Sequence, residues 1–313
     1  MTTPADAALA GLRVFERGWL SSNNVLLFDG DGSATLVDSG HVTHAAQTEA
    51  LVRHALGGAE TGTRLTRVLN THLHSDHCGG NATLQRAFGA EVWIPPGQFD
   101  AVRDWDEGAL SYRATGQLCE RFSPGRALRP GSLLHAGGRR WDVLAAPGHD
   151  PHSVILFDDA HGVLISADAL WENGFGVVFP ELEGEAGFDD AAAVLDTIER
   201  LPVQWVVPGH GAPFDDVAGA LRRARERLSS WRSERSRHTR YAAKVLLKYH
   251  LMEVREQPLD AMLAWYVATP LLRRAHADSG GESVQDWAGA MFSDLLRSGA
   301  LVLGEDGIVR DGG

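Results

Sequence analysis

Four side chains able to hold a metal ion fall within one short stretch: His72, His74, Asp76 and His77, in Thr71-His72-Leu73-His74-Ser75-Asp76-His77-Cys78-Gly79-Gly80. His72 and His74 are two apart, so on an extended strand end they project to the same side. A turn into a helix then brings Asp76 and His77 back toward the same space. Imidazole and carboxylate donors suit zinc, iron or manganese better than calcium or magnesium. One tetrahedral site with a position left open for water cannot use all four. Two divalent metal ions sharing the cluster are expected, zinc first, with iron and manganese as the other candidates.

Three more donors follow predicted strands: His149 in Ala146-Pro147-Gly148-His149, Asp168 in Ser166-Ala167-Asp168, and His210 in Pro208-Gly209-His210. A single His or Asp after a strand is often a cap or turn residue. Three of them, in a chain that already holds the 72–77 cluster, point to ligation. Bound metal lowers the pKa of water from 15.7 to about 7, which makes a hydroxide available to attack a carbonyl. Asp76 is a candidate catalytic group, orienting that hydroxide or carrying a proton to the leaving group. Cys78 reads as a small buried residue rather than a catalytic thiol.

Alternating strands and helices must position these groups. Strand candidates are 24–28, 34–37, 65–70, 91–94, 140–145, 153–157, 162–166 and 203–207. Helical spacing covers 44–56, about 81–88 and 189–201. Strand after strand ends in a loop carrying His or Asp. From Asp215 to about His250 the pattern is long, helical and rich in arginine. Further helices are expected near 258–267 and 283–298, then a small hairpin at 301–309.

The H-x-H-x-D-H run at 72–77, with His149, Asp168 and His210 at these distances and Asp38 in Leu36-Val37-Asp38-Ser39-Gly40, resembles the metallo-β-lactamase fold superfamily over about residues 12–215. The resemblance implies an α+β fold, a four-layer αββα sandwich with the site at one edge of its two sheets. It implies that His72, His74 and His149 hold one metal, that Asp76, His77 and His210 hold the second, and that Asp168 bridges them as a second catalytic carboxylate. Asp38 would fix the orientation of a ligand from behind. The motif set matches the broad hydrolase branch rather than the true β-lactamases, and the 71–80 run is similar to the glyoxalase II type of thioesterase. The trailing segment resembles a winged-helix appendage found in another subgroup. The implied domains are 1–232, catalytic, and 233–313, winged-helix-like.

The expected activity is hydrolysis of a small thioester, ester or lactone by a metal-bridging hydroxide. The same fold also hosts single-iron oxidoreductases of the persulfide dioxygenase kind, and endoribonucleases, which stand as alternatives. Trp171, Phe175 and Phe179 follow Asp168 in a glycine-flexed stretch and are candidates to bind an acyl group, or are core packing. His152 either points at substrate or packs in its turn. Segment 95–135, with Trp105, Tyr112 and Arg113, is long enough to overhang the site. The arginine-rich helix is a solvated face with partners such as Glu226, or it reads an anionic substrate tail through Arg240, Lys244 or Lys248.

The net charge of −12 argues against broad nucleic-acid binding. Residues 211–313 carry 15 Lys/Arg and 14 Asp/Glu, so the remaining 14 and 27 leave residues 1–210 at −13. This shift in composition supports two domains, and the appendage suits a homodimer surface as well as it suits nucleic acid. Two cysteines are too few for a disulfide framework. Residues 1–10 lack a signal-peptide pattern, and no apolar run reaches the roughly 18 residues of a membrane span. A reducing, cytoplasmic setting is expected.

Overall fold

The computed structural model describes residues 8–57, 62–277 and 283–313. Strands β1 (Leu12–Phe15), β2 (Asn24–Phe28), β3 (Ser33–Val37), β4 (Arg64–Leu69), β5 (Glu91–Ile94) and β6 (Arg126–Ala127) form one sheet in that order. It is antiparallel from β1 to β3 and parallel from β3 to β6. Strands β7 (Leu133–Ala136), β8 (Arg139–Ala145), β9 (Val154–Asp158), β10 (Val163–Ala167) and β11 (Trp205–Pro208) form the second, in the order β11-β10-β9-β8-β7.

Alternation along the strands explains the layers. Successive side chains point to opposite faces. Val25 and Leu27 of β2 face Val154 and Leu156 of β9 and Val163 and Ile165 of β10, which closes the sheet-on-sheet core. Leu26 points the other way, into a cluster with Val52 of the Ala45–Ala55 helix and Leu84 of the Asn81–Phe88 helix. On the second sheet, Ile155, Phe157, Leu164 and Val206 face Val194, Leu195 and Ile198 of the Phe188–Arg200 helix and Leu221 and Leu228 of the Val217–Ser233 helix. Strands apolar on both faces need cover on both. The result is the expected four-layer helix-sheet-sheet-helix sandwich.

The arginine-rich stretch is two helices, not one. Val217–Ser233 and Arg235–Val254 meet at Glu234, whose backbone is extended (φ −147°, ψ 92°). Beyond them lie the helices Leu259–Ala268, Pro270–Ala277 and Val284–Arg297 and a three-stranded sheet. That sheet, β12 (Glu256–Pro258), β13 (Leu301–Leu303) and β14 (Ile308–Asp311), has β14 in the middle. These elements share a core around Leu247, Tyr266, Trp287 and Met291, and Val177 and Leu182 from the loop after β10 are part of it. The C-terminal region is therefore packed directly onto the segment that follows Asp168. Among the described residues no helix is long and apolar enough to cross a membrane.

Candidate metal centre

All seven expected donors converge, each delivered by a strand end. His72 and His74 follow β4, His149 follows β8, and ligand atoms of these three lie within 4.8 Å of one another. Asp76 and His77 sit on the short Ser75–Cys78 helix, Asp168 follows β10 and His210 follows β11, and ligand atoms of these four meet the same limit. All seven side chains are buried. Close backbone approach makes this geometry possible. A Cβ on Gly79 or Gly80 would collide with the backbone of Val42, Ser75 or Ser39, and one on Gly209 would strike the Asp168 carboxylate.

Outer partners set which ring nitrogen faces the centre. His149 Nδ1 donates to the Val177 carbonyl at 2.6 Å, which leaves Nε2 directed inward, 2.8 Å from His74 Nδ1. Two ring nitrogens this close need a shared proton or a cation between them. His77 Nδ1 lies 2.8 Å from Asp38 Oδ2, and that carboxylate also accepts from the Thr71 amide at 2.9 Å and the Thr71 hydroxyl at 2.8 Å. Nε2 of His72 is buried with no hydrogen-bond partner, and Nε2 of His77 has only the Asp76 and Asp168 carboxylates, each 3.4 Å away. Buried orphan groups of this kind call for an explanation, and a cation supplies it.

Asp168 presents one oxygen to each group. Its Oδ2 is 3.3 Å from His149 Nε2, and its Oδ1 is 3.4 Å from His77 Nε2 and 3.9 Å from His210 Nε2. The Trp171 indole N–H donates to Oδ1 at 3.2 Å. Asp76 Oδ2 is 3.0 Å from His210 Nε2 and 3.4 Å from His77 Nε2. Electrostatics fit the same picture. Burial, reinforced by the neighbouring rings, holds His72 well below the usual imidazole range, and burial pushes His149 down to about 4. Both are thus neutral, as metal ligands must be. For Asp76 and Asp168 burial acts to raise the pKa, yet the adjacent histidines, His77 foremost, outweigh it and keep both carboxyls ionised. Burial likewise opposes a charge on His77, but Asp76, Asp38 and Asp168 raise it well above its ordinary value. The cluster attracts positive charge, and the donor set fits two divalent ions.

The candidate substrate residues separate into two groups. Trp171 and Phe179 line the cavity over the centre, and the Phe179 ring is 4.6 Å from that of His74. Phe175 does not reach it. It is a core residue, 2% exposed, with its ring 5.3 Å from Trp231, because the glycines flanking it turn the chain inward. His152 is also displaced: its ring packs over Gly97, away from the cavity. Segment 95–135 does not overhang the centre as a whole. Trp105 and Tyr112 belong to the first helical layer's core, the Tyr112 hydroxyl donates to the Leu73 carbonyl at 2.9 Å, and Gln117 borders the cavity. Cys78 is fully buried against Tyr112 and Cys119. Several of the arginines pair with acids on neighbouring segments, Arg225 with Asp196 and Glu199, Arg232 with Asp189 and Arg240 with Asp294, while Arg223 and Arg237 pair with Asp216 and Glu234 at the starts of their own helices.

Three residues at the centre went unread in the sequence. Trp19 stacks on His210 (5.3 Å between centroids, 15° between planes), and Trp171 meets both rings edge-on, 5.3 Å from His210 and 5.5 Å from Trp19. Asn23 ties down the His210 loop through its amide to the Gly209 carbonyl at 2.7 Å and its side chain to the Pro208 carbonyl at 3.0 Å. Tyr249, from the Arg235–Val254 helix, enters the cavity with its hydroxyl buried beside the Asp76 carboxylate. Burial, then the charge of Asp76, raises its pKa well above the usual phenol value, so the hydroxyl keeps its proton. Asn23 was findable as a polar residue immediately ahead of the apolar strand β2. The other two carry no local signal.

The family model for the metallo-beta-lactamase superfamily matches residues 17–210. A hydroxyacylglutathione hydrolase of Anaeromyxobacter dehalogenans (strain 2CP-C) is 32% identical over 216 residues, 66% of this chain and 69% of its own length. A second, from Synechococcus sp. (strain JA-2-3B'a(2-13)), is 27% identical over 197 residues, 61% of this chain and 64% of its own. An acyl-coenzyme A thioesterase of Gallus gallus is 24% identical over 159 residues, 48% of this chain and 57% of its own. The matched stretch is thus under two thirds of the length of the latter two. Among solved structures, a metallo-beta-lactamase family protein from Thermus thermophilus superposes with a TM-score of 0.56 at 22% identity, covering 96% of this chain and 97% of that one. A beta-lactamase domain protein from Burkholderia ambifaria gives 0.54 at 26% identity, covering 96% and 91%. A protein solved in a di-iron-bound form gives 0.53 at 26%, covering 68% and 98%.

Proposed function

The chain belongs to the metallo-beta-lactamase superfamily, and from that premise we propose that it hydrolyses a small thioester at a two-metal centre, with esters and lactones as related substrates. The carrying observation is Asp168, whose two oxygens face two separate donor groups 3.3 and 3.4 Å away. His72, His74 and His149 would hold one ion, Asp76, His77 and His210 the other, and Asp168 would join them. Zinc is the first candidate. Iron is the second, because a similar protein was solved with two irons. Residues 1–232 form the catalytic body in this reading, and 233–313 complete its pocket.

When bound, the ions would supply a water-derived nucleophile at neutral pH and Lewis-acid stabilisation of the carbonyl oxygen. The chain's own residues do the rest. Asp76 orients the attacking water and passes its proton toward the leaving sulfur. Asp38 and the Val177 carbonyl fix the rings of His77 and His149. Trp171 steadies Asp168, and Trp19 and Phe179 shield the centre from bulk water, which strengthens every interaction inside it. The names of the curated hydrolases and thioesterase support the substrate class.

The test is metal content by mass spectrometry, paired with a hydrolysis screen over thioesters, esters, lactones and phosphodiesters. Two metals per chain with thioester turnover is the expected result. One iron per chain with oxygen uptake, or salt-sensitive RNA cleavage without thioester turnover, would replace this reading.

A further inference from the structure

The cavity over the centre has a volume of about 420 Å³, toward the lower end of the range for small-molecule sites. Its inner end is polar, with His74, Asp76 and Asp168. The opposite wall is supplied by the C-terminal helices: Val245, Leu246 and Met252 from Arg235–Val254 and Leu295 from Val284–Arg297, facing Val177 and Phe179. Carbon dominates this surface. Two lysines border it, but both are engaged. Lys244 Nζ lies 3.6 Å from Asp294, and Lys248 Nζ binds the Ala300 carbonyl at 2.6 Å and the Asp311 carboxylate.

We infer that the acyl half of the substrate is an apolar chain of medium length, seated against Val245, Leu246, Met252 and Leu295, and not a small hydroxyacyl group. This rests on the thioesterase reading above. A hydroxyl seated directly against Val245, Leu246, Met252 and Leu295 would find no partner among those four side chains, at a cost in free energy; Gln117 and Ser298 elsewhere in the lining are the polar groups it would have to reach. An alkyl chain there gains from every methylene removed from water. At about 30 Å³ for a water-sized group, a chain of roughly eight carbons occupies somewhat more than half the cavity. The carbonyl and sulfur fill the inner end. The Tyr249 hydroxyl is buried beside the Asp76 carboxylate, at the polar end of the cavity, where it would donate to the carbonyl end of the ligand. The reaction is simple in balance. Water's oxygen bonds to the acyl carbon, the carbon–sulfur bond breaks, and of water's two protons one goes to the thiol and the other is shed by the carboxylic acid product.

The experiment uses the full, metal-loaded chain and thioesters of one thiol, with acyl chains from about two to about twelve carbons and a 2-hydroxypropanoyl thioester alongside. The specificity constant kcat/KM is expected to climb about fourfold per methylene before levelling near eight to ten carbons. A flat series, or a hydroxypropanoyl thioester preferred over the hexanoyl one, overturns the inference while leaving thioester hydrolysis standing. Turnover of no thioester at all overturns the functional reading beneath it. Val245→Phe narrows the wall and is expected to cost the octanoyl substrate about tenfold more than the butanoyl one. A break in the series at the same length as in the parent chain would place the acyl group elsewhere.

Discussion

His77 Nδ1 and Asp38 Oδ2 stand 2.8 Å apart in a fully buried setting, and the same carboxylate receives two hydrogen bonds from Thr71. Asp38 adopts a positive φ of 57°, which Asp and Asn tolerate better than most residues. It therefore reaches behind the histidine turn from the neighbouring strand end and fixes one ligand ring and the backbone next to it.

Asp38→Asn keeps that backbone conformation and removes the charge behind His77. The expected loss is about ten- to a hundredfold in metal affinity or in kcat/KM. Metal titration of the stripped protein measures the first and steady-state kinetics the second. Equal values in both would separate Asp38 from the centre.

His74→Ala and Asp168→Ala each remove a group that faces the centre directly. Both are expected to abolish turnover, a drop of about a thousandfold or more on the scale of a lost electrostatic stabiliser, while the far-ultraviolet circular dichroism spectrum stays native. Parent-like rates in both variants would refute the assignment.

Chelation should stop turnover, and adding back zinc, manganese or ferrous iron should restore it. Binding to the folded state alone stabilises it, by about 2.7 kcal/mol at a hundred times the dissociation constant. Melting temperature should accordingly climb with added metal and saturate near two ions per chain. A melting curve indifferent to metal would argue against the cluster as a binding site.

His238 provides a prediction in pH. Its Nε2 accepts from the Val178 amide at 3.1 Å, and burial, then the charge of Arg235, pushes its pKa down to about 4. In the unfolded chain the ring titrates near 6.5. Above that value it is neutral in both states and its contribution is complete. Between 6.5 and about 4 the unfolded chain takes up a proton that the folded chain refuses, so stability falls as pH falls, by about 3 kcal/mol at most. His238→Gln can still accept from Val178 but cannot titrate. In thermal melts across this window the variant should gain on the parent as the solution is acidified. A constant difference would remove His238 from the acid response.

Much of the centre was legible because its donors are either contiguous or placed straight after apolar strands. A run such as His72 to His77 has few other uses, and His149, Asp168 and His210 each follow a segment whose own pattern fixes the direction of the chain. The layer order was legible only through the family resemblance of the 72–77 run and its companion donors; the structure adds the physical reason, since β2, β9 and β10 are apolar on both faces. Other features depend on contacts distant in sequence. Tyr249 lies mid-helix among ordinary amphipathic residues, and only the packing of that helix on the sandwich gives it a role. The break at Glu234 has no proline or glycine to announce it. The Pro270–Ala277 helix is hidden because Thr269 and Pro270 read as a stop, although proline is well placed at a first helical position. Phe175 and His152 differ in kind. They are near Asp168 and His149 in sequence, but the turns there send both side chains elsewhere.

Among the described residues every donor to the centre precedes residue 211, while Val245, Leu246, Met252 and Leu295 of the apolar wall come from residues after 235. In the reading proposed above, the metal donors and most of the acyl-binding wall are thus encoded in separate stretches of the gene. Under that reading, substitutions at Val245, Leu246 or Met252 would retune what is admitted while the seven donors stay in place.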